Sequence, residues 1–182
     1  LSRYRLVVVP GLHLVSDADA RALDGAAATG THVVVTFYSG IVDENDRVRP
    51  GGHPGAWRDL LGIRVEEFAP VPPGRTVTLD TGATATMWTE RMSVTDATVV
   101  ARFADGPSAG LPAITRRTGG SAGSGDAWYI ATLLDAPALR DLLETAAAAA
   151  GASPEPGAGR GVEIIRRRGA DRAYRFVINT TD

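Results

Sequence analysis

The side chains of this sequence that could ligate a metal or move a proton are three histidines, His13, His32 and His53, and two acidic clusters, at Asp43, Glu44 and Asp46 and at Glu66 and Glu67. A zinc site takes its ligands one helical turn or a short loop apart. These histidines are scattered singly, so each reads as solvent-facing or hydrogen-bonded. A calcium loop needs a ladder of oxygen ligands with a central glycine and a closing glutamate. The run at 43–46 has neither, and Asp43 and Asn45 fit Asx-turns of a polar loop. Glycoside hydrolysis needs two carboxyl groups about 5 to 9.5 Å apart across one sugar bond. Asp43/Glu44 and Glu66/Glu67 are sequence neighbours whose side chains diverge, so neither pair forms a matched acid and nucleophile. The glycine-rich run at 119–125 (GGSAGSG) precedes a strand-like segment, whereas a phosphate cradle opens a helix; it reads as a mobile turn. Arg166, Arg167 and Arg168 read as a solvated hairpin end. By its residues alone the chain offers no catalytic centre, and no metal or cofactor is expected.

The 182 residues suit one domain of ordinary size, and 44% hydrophobic with 22% charged side chains is enough to bury a core. A formal net charge of −2 provides no basic field for nucleic acid or an anionic membrane. The lack of cysteine excludes disulfides, thiolate metal sites and a cysteine nucleophile. No apolar stretch approaches the roughly 18 residues of a membrane span, and no signal-peptide pattern opens the chain, so a cytoplasmic location is expected. All 19 basic residues are arginine, which fits a GC-rich coding bias. Leu1 stands just ahead of the first strand-like run and Asp182 just behind the last, so the sequence is expected to be a piece of something larger.

The elements that must position these side chains follow from pattern. Residues 6–9 (LVVV) are an apolar β-branched run stopped by Pro10, and 31–38 (THVVVTFY) is a second; both suit strands buried on two faces. Between them Ser16 and Asp19 form a capping box for a helix over 17–28, with Ala22, Leu23, Ala26 and Ala27 on its apolar face and Gly30 as its stop. Strand, helix and strand make a right-handed βαβ unit. An irregular stretch at 39–54 follows, then a short helix at 55–61 and a half-exposed strand at 63–68. Short strands at 75–79, 83–92, 98–104, 111–117 and 127–132 predict antiparallel or mixed sheet. Asp135 caps a last helix over 136–150, carrying Leu139, Leu142, Leu143 and Ala146 at helical spacing. Residues 153–160 read as a Pro/Gly linker, and 161–182 as a hairpin opening another β module.

Several of these segments, in order, resemble the non-catalytic region of family 42 β-galactosidases: 4–15 (YRLVVVPGLHLV), 37–48 (FYSGIVDENDRV), 51–55 (GGHPG), 60–68 (LLGIRVEEF), 111–117 (LPAITRR), 127–132 (AWYIAT) and the closing 161–182. The segment SGIVDEND is the most specific. The resemblance implies an α/β fold, a flavodoxin-like or class I glutamine amidotransferase-like three-layer sandwich with a mainly parallel sheet and extra antiparallel strands. It implies a trimerisation domain at 1–152, the linker at 153–160 and the first hairpin of a C-terminal β domain at 161–182. In that family a TIM barrel carries the two catalytic glutamates of a retaining mechanism on terminal β-D-galactosides. Neither glutamate can be carried onto this chain, and the cysteine elbow of the amidotransferases is missing too. The implied partners are two further copies of the chain and its own barrel, with no nucleic acid and no membrane. The alternative is a stand-alone flavodoxin-like domain that binds a small ligand, or hydrolyses one, in the crevice near Ser39 and Asp43. The stretch at 39–54 is longer than most connections and holds apolar side chains among its acids. Ile41, Val42, Asp43, Glu44 and Val48 are therefore the interface candidates, and serine at 41 and 42 is expected to weaken assembly.

Overall fold

β1 (Leu6–Val9), α1 (Asp17–Ala28) and β2 (His32–Thr36) open the fold in a computed structural model that describes residues 1–121, 123–153, 155, 159 and 161–181. β1 ends where Pro10 withdraws the amide that would extend the ladder. The Ser16 hydroxyl accepts the Asp19 amide at 3.1 Å and gives its own proton to the Asp19 carboxylate at 2.7 Å, closing the capping box that starts α1. The helix buries Ala20, Leu23, Ala26 and Ala27; Ala22 is exposed, because the face continues to Ala20, one turn back from Leu23. β1 and β2 pair parallel from Leu6↔His32 to Val9↔Val35.

The chain continues through α2 (Arg58–Leu61), β3 (Ile63–Pro70), β4 (Val77–Thr78), β5 (Thr84–Thr86), β6 (Trp88–Val94), β7 (Thr98–Arg102), β8 (Pro112–Arg117), β9 (Ala127–Ile130), β10 (Leu133–Leu134) and α3 (Ala136–Ala149). The main sheet has five strands in the order β1-β2-β9-β8-β7. β9 joins β2 in parallel, but β8 runs antiparallel to β9, and β7 to β8. The sheet is therefore mixed, and parallel pairing accounts for half of its contacts between strands instead of most. The connections explain it: β7 to β8 and β8 to β9 turn directly, with no helix to carry the chain back for a parallel return.

The single strand expected at 83–92 is two. Met87 sits at φ 67°, a left-handed conformation, and the chain turns there. β5 pairs with β4 and β10 in a small sheet, while β6 pairs with β3 in a separate ribbon that carries a bulge between Val65 and Glu67. Gly62 stops α2 at φ 62°, and a side chain there would meet the Asp96 carbonyl carbon at 2.7 Å. α3 begins at Asp135, whose carboxylate accepts the Ala138 amide at 2.8 Å, and buries Leu142 and Ala146. One continuous core joins these elements: Val33, Val34 and Val35 of β2 are fully buried at its centre, with Leu23 and Ala27 of α1, Leu61 of α2, Tyr129 and Ile130 of β9, and Leu142 and Ala146 of α3 around them.

These elements occupy residues 1–151, one of two compact units. The other, 152–182, consists of β11 (Val162–Arg168) and β12 (Ala173–Asn179), paired antiparallel from Val162↔Asn179 to Arg168↔Ala173. Within it Arg166 meets Glu155 at 3.0 Å, and Tyr174, Phe176, Val177 and Ile178 are exposed. Most of the linker expected at 153–160 lies outside the described residues. No helix among the described residues is long and apolar enough to cross a membrane.

Candidate functional site

The stretch at 39–54 leaves the C-terminal end of β2 and is built more regularly than its composition suggests. The Gly40 amide donates to the Leu12 carbonyl at 2.8 Å, Ile41 to His13 at 3.0 Å, and Val15 donates back to Val42 at 3.0 Å. Val42 thus bridges Leu14 on one side and Val48 on the other. Asp43 turns the chain between them: its Oδ1 accepts the amides of Asn45 at 2.8 Å and Arg47 at 3.0 Å, and these two bonds hold its carboxyl below the usual carboxylate range. Arg49 fastens the return through Asp17 at 2.7 Å and the Val15 carbonyl at 2.9 Å. Ile41 and Val42 are only 6% and 4% exposed, packed into their own domain. Burying two β-branched side chains stabilises this stretch, so the double serine substitution would strike the fold itself. Val48 is 63% exposed, Glu44 is exposed and Asp43 half-buried.

Ser39 is fully buried and its hydroxyl oxygen accepts the Leu12 amide at 3.1 Å. Beside it gather rings from five places in the sequence. His13 stacks on Tyr38 at 4.8 Å, Trp88 meets Tyr38 edge-on at 5.2 Å and Phe68 at 5.2 Å, and His53 stacks on Phe68 at 5.0 Å. Burial and the charges of Arg58 and His13 keep the His53 imidazole below its usual pKa.

Beneath the rings lies Glu90, with none of its surface exposed. Three donors converge on it: the Tyr129 hydroxyl at 2.6 Å, the Trp88 indole N–H at 3.2 Å and the Tyr38 amide at 3.2 Å. Burial outweighs these bonds and pushes its pKa up to about 7. The same burial and the neighbouring carboxyl push the Tyr129 phenol up. Glu90 belongs to no motif in the sequence, although one signal for it is present. In a strand, positions two apart share a face, and Glu90 stands between Trp88 and Met92 on the inward side of β6.

The remaining candidates are dispersed. His32 accepts the Asp126 amide at 3.3 Å, and Asp126 in turn takes Arg116 through two guanidinium nitrogens, at 3.0 and 2.5 Å. That cluster pins the start of β9 to β8 and β2. Glu66 and Glu67 lie exposed at the bulge of β3, Glu67 beside Arg91 at 3.4 Å. Among the described residues no group of three or more histidine, aspartate or glutamate side chains is placed to hold a metal. Glu90 could hold or release a proton near neutrality, and its three contacts are donors that orient it.

The chain resembles known proteins along its whole length. Residues 1–153 match the family described as the β-galactosidase trimerisation domain. A β-galactosidase of Arthrobacter sp. is 42% identical over 182 residues, which cover all of this chain and 26% of that protein. The β-galactosidase LacZ of Heyndrickxia coagulans is 38% identical over 185 residues, covering all of this chain and 27% of the relative. Among solved structures, the β-galactosidase from Bacillus circulans sp. alkalophilus superposes with a TM-score of 0.90 at 31% identity, over 98% of this chain and 27% of that one. The chain spans about a quarter of the length of the curated relatives it matches.

Proposed function

This chain belongs to the β-galactosidase trimerisation-domain family, and from that premise we propose that it is the non-catalytic assembly domain of a β-galactosidase, associating with two further copies of itself. The observation that carries the reading is the family match over residues 1–153, which falls on the compact unit Leu1–Gly151. Hydrolysis of terminal β-D-galactosides then belongs to a barrel carrying two glutamates, and this domain sets the geometry in which such barrels meet. The amidotransferase-like, flavodoxin-like three-layer fold is part of the same reading. So are residues 161–182 as the start of a further β domain, and a cytoplasmic location.

The purified chain is accordingly expected to leave a chromogenic β-galactoside untouched, because a retaining mechanism needs two carboxyl groups about 5 Å apart and Glu90 is buried without a partner acid. Turnover that copurifies with the chain through independent preparations would sink this reading.

We place part of the contact on the stretch at 39–54. Val48 is the exposed apolar side chain there, flanked by Asp43 and Glu44, while Ile41 and Val42 hold the stretch down from beneath. Val48→Asp is expected to weaken self-association without altering the fold, since an exposed site tolerates a charge until a partner must desolvate it. Light scattering across a dilution series reads the oligomer mass; an unchanged mass at every concentration would move the contact elsewhere.

A further inference from the structure

Tyr38 combines three features that its own domain does not require together. It is a bulky residue at φ 62°, the left-handed region that L side chains avoid. Its side chain is 40% exposed. It is nevertheless clamped on several sides, by the Glu90 carboxyl under its amide at 3.2 Å, the His13 ring stacked at 4.8 Å and the Trp88 ring edge-on at 5.2 Å. Met87, next in chain to Trp88, repeats the pattern at φ 67° and 53% exposure. Leu12, 44% exposed, is tied to the same turn through the bonds of its backbone to Ser39 and Gly40. A turn that only faced water would take glycine or asparagine at such angles. Here the strained backbone aims large apolar side chains outward, and strain of that kind persists where the surroundings and a use for it hold it in place.

We infer that Tyr38, flanked through Trp88 by Met87 and through Ser39 by Leu12, is the preorganised anchor by which one copy of this domain grips the next, with Glu90 as the positioning residue beneath it. This rests on the self-association proposed above. The occupant is a second copy because residues 12, 38 and 87 all fall within the span matched by a trimerisation-domain family, 1–153. Tyrosine is among the side chains that carry interface energy, and a ring already clamped loses little freedom on docking. A ring of three copies closes only through heterologous contacts. Tyr38 of each copy therefore meets a different surface of its neighbour, and one substitution removes the anchor from every contact in the ring.

Three variants of the chain, followed by light scattering across a dilution series, separate the readings. Tyr38→Asn accepts the left-handed backbone but gives up the ring contacts to His13 and Trp88, so the monomer should stay folded with a lower melting temperature while the concentration for half-assembly, read well below that temperature, rises about tenfold or more. Tyr38→Phe keeps the ring and should assemble as the wild type does. Tyr4→Asn removes another exposed ring, 47% accessible, and should change nothing. Amide exchange of residues 37–39 and 86–88 in the wild-type chain should also slow at assembling concentrations relative to dilute ones, a readout that needs no variant. Wild-type chain that stays monomeric at every concentration would overturn self-association itself. Wild-type chain that assembles with residues 37–39 unprotected, or that Tyr38→Asn leaves as tightly assembled as before, would overturn the anchor alone.

Discussion

Replacing Glu90 with glutamine is expected to remove a pH dependence of stability that the wild-type chain carries between about pH 4.5 and about pH 7, the usual and the folded pKa of this carboxyl. The sign follows from linkage. In the unfolded chain Glu90 loses its proton at its ordinary pKa, whereas the folded chain holds the proton until about 7. The native state then binds more protons than the unfolded one across that window, so stability falls as pH rises through it. The stabilising share is fully present below the lower value and lost above the upper one, a difference of roughly 3 kcal/mol at full burial. Glutamine keeps the size and offers its carbonyl oxygen to the Tyr38 amide and Trp88 indole N–H, but cannot ionise. Asp43, Asp105 and Asp135, whose pKa values their hydrogen bonds lower, act on the acid side and are common to both proteins. Urea unfolding from pH 5 to pH 8 should show the two stability curves diverging, with the glutamine variant gaining as pH rises. Parallel curves would mean that Glu90 is ionised throughout and that its three donors outweigh its burial.

Gly125→Ala should be the most damaging single methyl group in the domain, at about 3 kcal/mol or more. A β-carbon on Gly125 would land on the Thr31 carbonyl and stand 2.7 Å from the His32 nitrogen. Both are backbone atoms at the entrance to β2, so neither can swing aside as a side chain would. The Gly125 amide also donates to the Ala27 carbonyl at 2.8 Å, at the end of α1, and the Val33 amide reaches Asp126 at 2.9 Å to begin the β2–β9 ladder. Relief of the clash would pull on the helix end and on the central pairing together. Thermal unfolding of the alanine variant against a Gly123→Ala control tests the close approach. Gly123 has open space around its missing side chain but a φ of 88°, so it reports backbone strain without a clash. Equal losses at the two positions would assign the cost to backbone freedom and not to the approach of two strands.

These two residues mark how far the sequence could be read. The opening βαβ unit was legible because its determinants are local: an apolar β-branched run, a proline stop, a serine that caps its own helix and a glycine that ends it. The last helix was legible for the same reason, through Asp135 and the spacing of its leucines. The family resemblance covered the unit that the comparisons match.

What the sequence by itself determined is therefore the set of local elements and the kind of core they can make. Only the tertiary structure decided how they pair. Nothing in the run from 83 to 92 announces that Met87 reverses its backbone, since methionine has no preference for that conformation and the neighbouring sheets impose it. Ile41 and Val42 look like candidates for a partner until residues 12–15 return beside them and draw them inward. Glu90 looks like one more surface acid until Tyr129, Trp88 and Tyr38 arrive from distant parts of the chain to donate to it. Each of these depends on contacts between residues far apart in sequence, and strand pairing and desolvation have no local signature. A cap or a periodic face is paid for within one turn of chain, whereas a buried acid exists only once every neighbour is in place.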